Sequence, residues 1–170
     1  MPIARTRLAA GHARRLLTRL QITSPPVDVR SIALRQDIKV NEEDFPDTLS
    51  GALLRSDAGV VIAINKRHGR NRQRFSVAHE LGHFFLHRDE AGYYDQGHLI
   101  GVHFRATPDG SNWDAKEIEA NRFAAELLMP RQMIIEAIKR SGEAQASDLA
   151  RQFEVSEEAM TYRLTDIRLR

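Results

Sequence analysis

The sequence predicts an α+β fold in which a small antiparallel sheet precedes a series of helices closing in a C-terminal helical bundle. Three observations carry this reading. The runs 51–55 (GALLR) and 60–64 (VVIAI) are strand-like and are joined by Ser56-Asp57-Ala58-Gly59, a hairpin signal. The second half of the chain instead repeats its apolar residues at helical spacing, over 73–87, 114–128, 131–140, 146–152 and 157–168. With 170 residues, 42% of them hydrophobic and 28% charged, the composition suits one ordinary globular domain.

Residues 5–20 read as a basic amphipathic helix. Leu8, Leu16, Leu17 and Leu20 form its apolar stripe, and Arg5, Arg7, Arg14, Arg15 and Arg19 meet no acid before Asp28. Ser24-Pro25-Pro26 ends it. A short helix over 27–35, a short strand over 37–40 and an acidic loop over 41–47 lead into the hairpin. A basic segment with Lys66, Arg67, Arg70, Arg72 and Arg74 follows, and 99–104 reads as a further strand within 88–113. The expected organisation is a basic N-terminal helix over 1–24, a core over 25–140 and a helix-turn-helix-like segment over 141–170 packed on that core.

Composition excludes several classes of function. With no cysteine there is no disulfide scaffold, thiolate metal site or thiol nucleophile. No apolar run approaches the ~18 residues of a membrane span, and the opening MPIARTRLAAGHARRLL lacks the apolar core of a signal peptide. The expectation is a cytoplasmic protein with no membrane partner. Of 25 basic residues only Lys39, Lys66, Lys116 and Lys139 are lysine, but a formal net charge of +2 does not by itself argue for nucleic acid.

The chemistry concentrates in His79-Glu80-Leu81-Gly82-His83, an H-E-x-x-H pattern. Residues four apart on a helix lie one turn above each other, so both imidazoles reach one ion. That spacing supplies two ligands of a zinc site, with Glu80 turned aside to take a proton from water rather than to ligate. Phe75, Val77, Ala78, Leu81, Phe84 and Phe85 make the helix apolar over much of its circumference, hence buried, and buried polar groups need partners. A catalytic zinc wants a third protein ligand. Glu117 shares a helical stripe with Ala120, Ala124 and Leu128, which packs inward. Glu119 lines up with Arg122 and Glu126, which reads as a solvated, salt-bridged face. Glu117 is therefore favoured as the ligand. Two alternatives stand beside it: Glu119 as ligand, and Glu117 closing a capping box with Asp114. A donor to the reaction's oxyanion is sought among Tyr93, Tyr94, His98 and His103. His87 continues the His79/His83 face, either as a cation at a helix C-terminus or as a support for a ligand.

The block Arg74-Phe75-Ser76-Val77-Ala78-His79-Glu80-Leu81-Gly82-His83-Phe84-Phe85-Leu86-His87, followed by the block EIEANRFAAELLMP at 117–130, resembles the ImmA/IrrE family of bacterial and phage metallopeptidases. The resemblance covers roughly residues 25–165. It implies a zincin-like fold and a zinc peptidase of the gluzincin type, with Zn2+ held by His79, His83 and Glu117 and with Glu80 as catalytic base. It also implies a protein substrate: a helix-turn-helix repressor, cleaved or antagonised to switch on mobile-element or stress-response genes, or the antitoxin of a toxin–antitoxin-like pair.

The tail 146–164 has helix-turn-helix shape, with Ser156 as N-cap and Leu149, Val155, Met160 and Leu164 as a small core. A DNA-reading helix contacts bases through its first residues. Here those are Glu157 and Glu158, so direct DNA binding is not favoured over packing or partner docking. The alternative to an enzyme is a non-proteolytic module that docks a repressor or antitoxin around a structural metal. Such a module has no use for Glu80.

Overall fold

The stretch 60–64 is apolar on both sides, as a strand covered on both faces must be, and it lies inside the sheet. The structure, a computed structural model, describes residues 4–87, 93–95, 115–142 and 145–168. Within these the elements run α1 (Thr6–Arg19), α2 (Val29–Leu34), β1 (Ile38–Glu43), β2 (Gly51–Ser56), β3 (Gly59–Asn65), α3 (Arg70–Leu86), β4 (Tyr93–Asp95), α4 (Ala115–Leu128), α5 (Arg131–Ser141), α6 (Ala146–Phe153) and α7 (Glu157–Arg168). The α+β class agrees with the sequence. The stretch 99–104 lies outside the described residues.

The sheet order is β1-β3-β2-β4. β2 and β3 form the expected antiparallel hairpin about Asp57 and Ala58, closed by Gly59, whose φ of +120° suits glycine. The sheet is mixed rather than wholly antiparallel. β3 inserts between β1 and β2, so the returning arm of the hairpin runs parallel to β1, with Ile38 opposite Val60 and Glu43 opposite Asn65. That pairing also draws Asn41, Glu42 and Glu43, expected in a loop, into β1. Asn65, fully buried at the end of β3, pins the crossing segment: its side-chain amide donates to the carbonyls of Phe45, Pro46 and Leu49 at 2.9–3.2 Å.

Three helices pack together beside this sheet. α3 lies on β2 and β3, α4 packs along α3, and α1 packs along α4. α1 belongs to the common core through Ala9, Ala13, Leu16 and Leu17, whereas Leu8, expected on the buried stripe, is 54% exposed. The face of α4 bearing Glu119, Arg122 and Glu126 is ion-paired as expected but buried rather than solvated, because α1 and α7 cover it. Glu126 pairs with Arg163 of α7 and with Arg14 of α1. Arg163 also donates to the Met129 carbonyl at 2.9 Å and to Asp166 at 3.0 Å. Removing one partner of such a buried pair costs about 3–5 kcal/mol, since the other charge is left desolvated.

The tail is fastened the same way. Ser156 caps α7, accepting from the Ala159 N–H at 3.2 Å, and Leu149, Val155 and Met160 are buried. Arg74 of α3 donates to the Glu154 and Val27 carbonyls at 3.1 and 3.0 Å. It thus ties the end of α6 to the helix that carries His79. The basic segment 66–74 is mostly ion-paired within the protein: Lys66 and Arg67 with Asp44, Arg70 and Arg74 with Glu154. Its last five residues open α3, which starts at Arg70 rather than at 73.

Asp28 caps α2, accepting from the Arg30 and Ser31 N–H groups at 3.1 and 3.0 Å and from the Ser31 hydroxyl at 2.7 Å. The Ser31 hydroxyl foremost holds its carboxyl below the usual carboxylate range. A depressed value in the folded state means that the cap's stabilisation is full above the ordinary value of 3.8 and is lost as pH falls through the depressed one. Asp28→Ala is expected to lose about 1 kcal/mol at neutral pH. In urea unfolding, the gap from wild type should shrink as pH is lowered below about 4; a gap that stays constant into acid would refute the capping role.

Candidate metal centre

α3 places His79 and Glu80 side by side with His83 one turn on, and buries all three, to 2%, 0% and 1% exposure. Their burial follows from a helix whose face toward β2, β3 and α4 carries Val77, Ala78 and Leu81. Each imidazole turns Nε2 toward the other, 2.9 Å apart. Glu117 of α4 reaches both, with Oε2 3.2 Å from His79 Nε2 and Oε1 3.3 Å from His83 Nε2. Ligand atoms of His79, His83 and Glu117 thus all lie within 4.8 Å of one another.

The donor set fits a metal ion. Donors about 2.0–2.1 Å from a tetrahedral zinc stand roughly 3.3 Å apart, and the three separations found here are 2.9, 3.2 and 3.3 Å. Burial pushes His83 down to about 4, so its ring is neutral at pH 7. Burial works to raise the Glu117 carboxyl, but hydrogen bonds with His79 and His83 outweigh it and hold the group well below the usual carboxylate range. His79 Nδ1 lies 2.8 Å from Asn121 Oδ1. An amide oxygen only accepts, so Nδ1 carries a proton, and a neutral His79 ring holding a cation would present its Nε2 electron pair to it. Two imidazoles, that of His83 neutral, and an ionised carboxylate converging in a buried space form a site for a cation.

Among the described residues, His79, His83 and Glu117 are brought together and Glu119 is not. Its carboxylate turns to His87 and to Arg5 of α1. Glu80 lies on the sheet side of α3, against the first residue of β2: a Cβ added to Gly51 would stand 3.3 Å from Glu80 Oε1. His87 ends α3 with its ring between His83 and Glu119. Asp114, His98 and His103 lie outside the described residues, and Tyr93 and Tyr94 are described only as strand backbone in β4.

Sequence reasoning missed two residues. Asn121 sits one turn beyond Glu117, and this shared face was the available signal. The other is Gly82. A Cβ there would stand 3.0 Å from Ala120 Cα and 3.1 Å from the Ala120 carbonyl oxygen. Such separations require backbone to move. The glycine inside the motif therefore sets how closely α3 and α4 approach, and that approach brings Glu117 to the histidines.

The sequence pattern of the IrrE N-terminal-like domain, peptidase family M78, matches residues 33–165. The chain belongs to this family. It is 34% identical over 109 residues to the radiation response metalloprotease IrrE of Deinococcus radiodurans, an alignment covering 62% of this chain and 31% of that protein. The M78 chain described here thus spans about a third of the curated relative it matches. A Mycobacterium tuberculosis transcriptional regulator shares the fold, with a TM-score of 0.61 at 22% identity over 94% of this chain and 46% of that one.

Alanine is ordinarily favoured over glycine in a helix by about 1 kcal/mol. At position 82 the clash dominates, since overpacking costs about 1–3 kcal/mol. Gly82→Ala is expected to lower the melting temperature and to weaken metal binding together; an unchanged metal affinity would show that the helix spacing does not position Glu117. Glu117→Ala, assayed by elemental analysis and competition with a chelator, should lower zinc affinity by more than the 10- to 100-fold typical of losing a mere supporting partner.

Proposed function

We propose that this M78 chain is a zinc-dependent endopeptidase of the cytoplasm that cleaves a regulatory protein, a helix-turn-helix repressor or an antitoxin, and so relieves repression in a mobile-element or stress response. The observation that carries the reading is the convergence of His79, His83 and Glu117 beside a fully buried Glu80. In this reading His79 Nε2, His83 Nε2 and a Glu117 oxygen hold the ion. Zinc bound there supplies Lewis acidity, polarising a carbonyl and acidifying water. Glu80 takes the proton from the attacking water on a carboxylate oxygen and delivers it to the departing amine. Asn121 keeps the proton of His79 on Nδ1. A structural metal would need the three ligands but not a fourth, acidic side chain buried next to them.

Membership of the M78 family and similarity to a radiation response metalloprotease support peptidase chemistry, and the regulatory substrate extends what the resemblance implies. No described helix is long and apolar enough to cross a membrane. The negative start of α7, Glu157 and Glu158, speaks against a DNA-reading role for the tail.

Glu80→Gln should abolish cleavage of the repressor or antitoxin while leaving zinc content and melting temperature unchanged. Release of the repressor by this variant at the wild-type level would transfer the function to non-proteolytic docking.

A further inference from the structure

β1 lies at one edge of the sheet and, among the described residues, pairs with β3 alone. We infer that this edge joins a second copy of the chain, β1 against β1 in antiparallel pairing about a two-fold axis through Asn41, to form a dimer. The inference goes beyond the proposed function and does not rest on the metal-site reading.

Backbone direction limits which residues can meet. In a strand the N–H and C=O of one residue point to the same side, and those of the next residue to the other. The Lys66 N–H donates to the Glu43 carbonyl at 2.9 Å, so the backbone of Glu43 faces β3, and with it that of Asn41 and Lys39. Ile38, Val40 and Glu42 then turn their backbone groups outward. Two such edges pair only in registers that set outward residues opposite outward residues. The register centred on Asn41 is one of these. It sets Lys39 opposite Glu43 on both sides of the axis and Asn41 opposite its own copy, and it lets Val40 exchange both backbone bonds with Glu42. Centring on Val40 leaves Glu43 with no opposite residue in the strand. Centring on Glu42 sets that acid against itself.

The side chains favour the first register. Lys39, Asn41 and Glu43 alternate onto one face of the strand and are exposed. They fall at the pairs without backbone bonds, where opposite Cα atoms stand about 4.5 Å apart and side chains are closest. Neither Lys39 nor Glu43 has an ion pair among the described residues, whereas Glu42 is taken by Arg30, and Asp44 by Lys66 and Arg67. Charges on an edge strand deter pairing with foreign strands. Here the order Lys, Asn, Glu is complementary to its own reverse, so the same charges admit a copy and reject others.

α2 packs on β1, with Arg30 over Glu42. A two-fold axis normal to the sheet keeps both copies of α2 on one face of the joined sheet, running antiparallel. Leu34 of α2 is 73% exposed and is the apolar side chain that this arrangement offers to a neighbour. The contact is isologous and closes at two chains. β4, at the opposite edge, takes no part in it.

The test uses the full chain, by sedimentation velocity from about 1 to 100 μM and by amide hydrogen exchange. Wild type should form a concentration-dependent dimer and nothing larger. The Val40 and Glu42 amides should gain protection as the dimer forms, while those of Lys39, Asn41 and Glu43 are protected by β3 at every concentration. Lys39→Glu alone and Glu43→Lys alone each set like charges opposite one another, and each should weaken self-association about tenfold or more without lowering the melting temperature of the dilute monomer. Mixed in equal amounts, the two variants should recover association as a heterodimer, because every charge pair across the join is then opposite in sign. A chain that stays monomeric over the whole range would overturn the inference. So would a dimer whose Val40 and Glu42 amides exchange freely, one indifferent to both single variants, or variants that fail to associate when mixed.

Discussion

The close approach of α3 and α4 at Gly82 and Ala120 is the constraint on which the rest depends. The two helices must lie near enough for a glutamate on one to meet histidines on the other. A larger pair at this contact would hold the axes further apart, toward the upper end of ordinary helix spacings of about 8–10 Å. With glycine against alanine, Glu117, one turn before Ala120, reaches both Nε2 atoms, and Asn121, next to Ala120, reaches the far side of His79. One steric condition thus brings both a carboxylate and an amide to the histidines.

The second condition is electrostatic. α4 is polar where it meets α1 and α7 and where it meets the histidines, so its carboxylates are satisfied three ways. Glu117 meets His79 and His83, Glu119 meets His87 and the first turn of α1, and Glu126 meets Arg163 and Arg14. Buried ion pairs contribute little net stability, but they penalise any packing that separates the partners. They therefore select one seating of α1 and α7 around α4. The N-terminal helix and the tail are in this way joined to the helices of the centre rather than appended to them, and Arg74 adds a direct tie from α3 to the end of α6.

Much of this was legible in the chain because the signals are local. The 51–64 hairpin, the H-E-x-x-H spacing and the inward stripe of Glu117, Ala120, Ala124 and Leu128 are properties of one strand pair or one helix, and period alone reveals them. Ser156 as a cap is local in the same sense. The misreadings share another cause. Leu8 joins the apolar stripe of α1 by its spacing, but in the fold it is exposed while Ala9 and Ala13 are buried. Glu119, Arg122 and Glu126 look solvated when α4 is considered alone, and they are buried because α1 and α7 cover them. Asn41–Glu43 look like loop until β3 lies alongside.

By itself the sequence determined the kind of chemistry: two imidazoles one turn apart, an acid between them and a second acid on the inward face of a later helix, a pattern set by the 3.6-residue turn. Only the tertiary structure decided which acid meets those imidazoles. Glu117 and Glu119 are two residues apart, about 200° around the helix, and no local rule says what each face will meet. α3 packs on one side and turns Glu117 toward the histidines; α1 packs on the other and turns Glu119 toward His87 and Arg5. The direction of β1, the close contact at Gly82 and the neighbours of His87 were settled the same way. Each depends on which element arrives as neighbour, and the local sequence does not encode that.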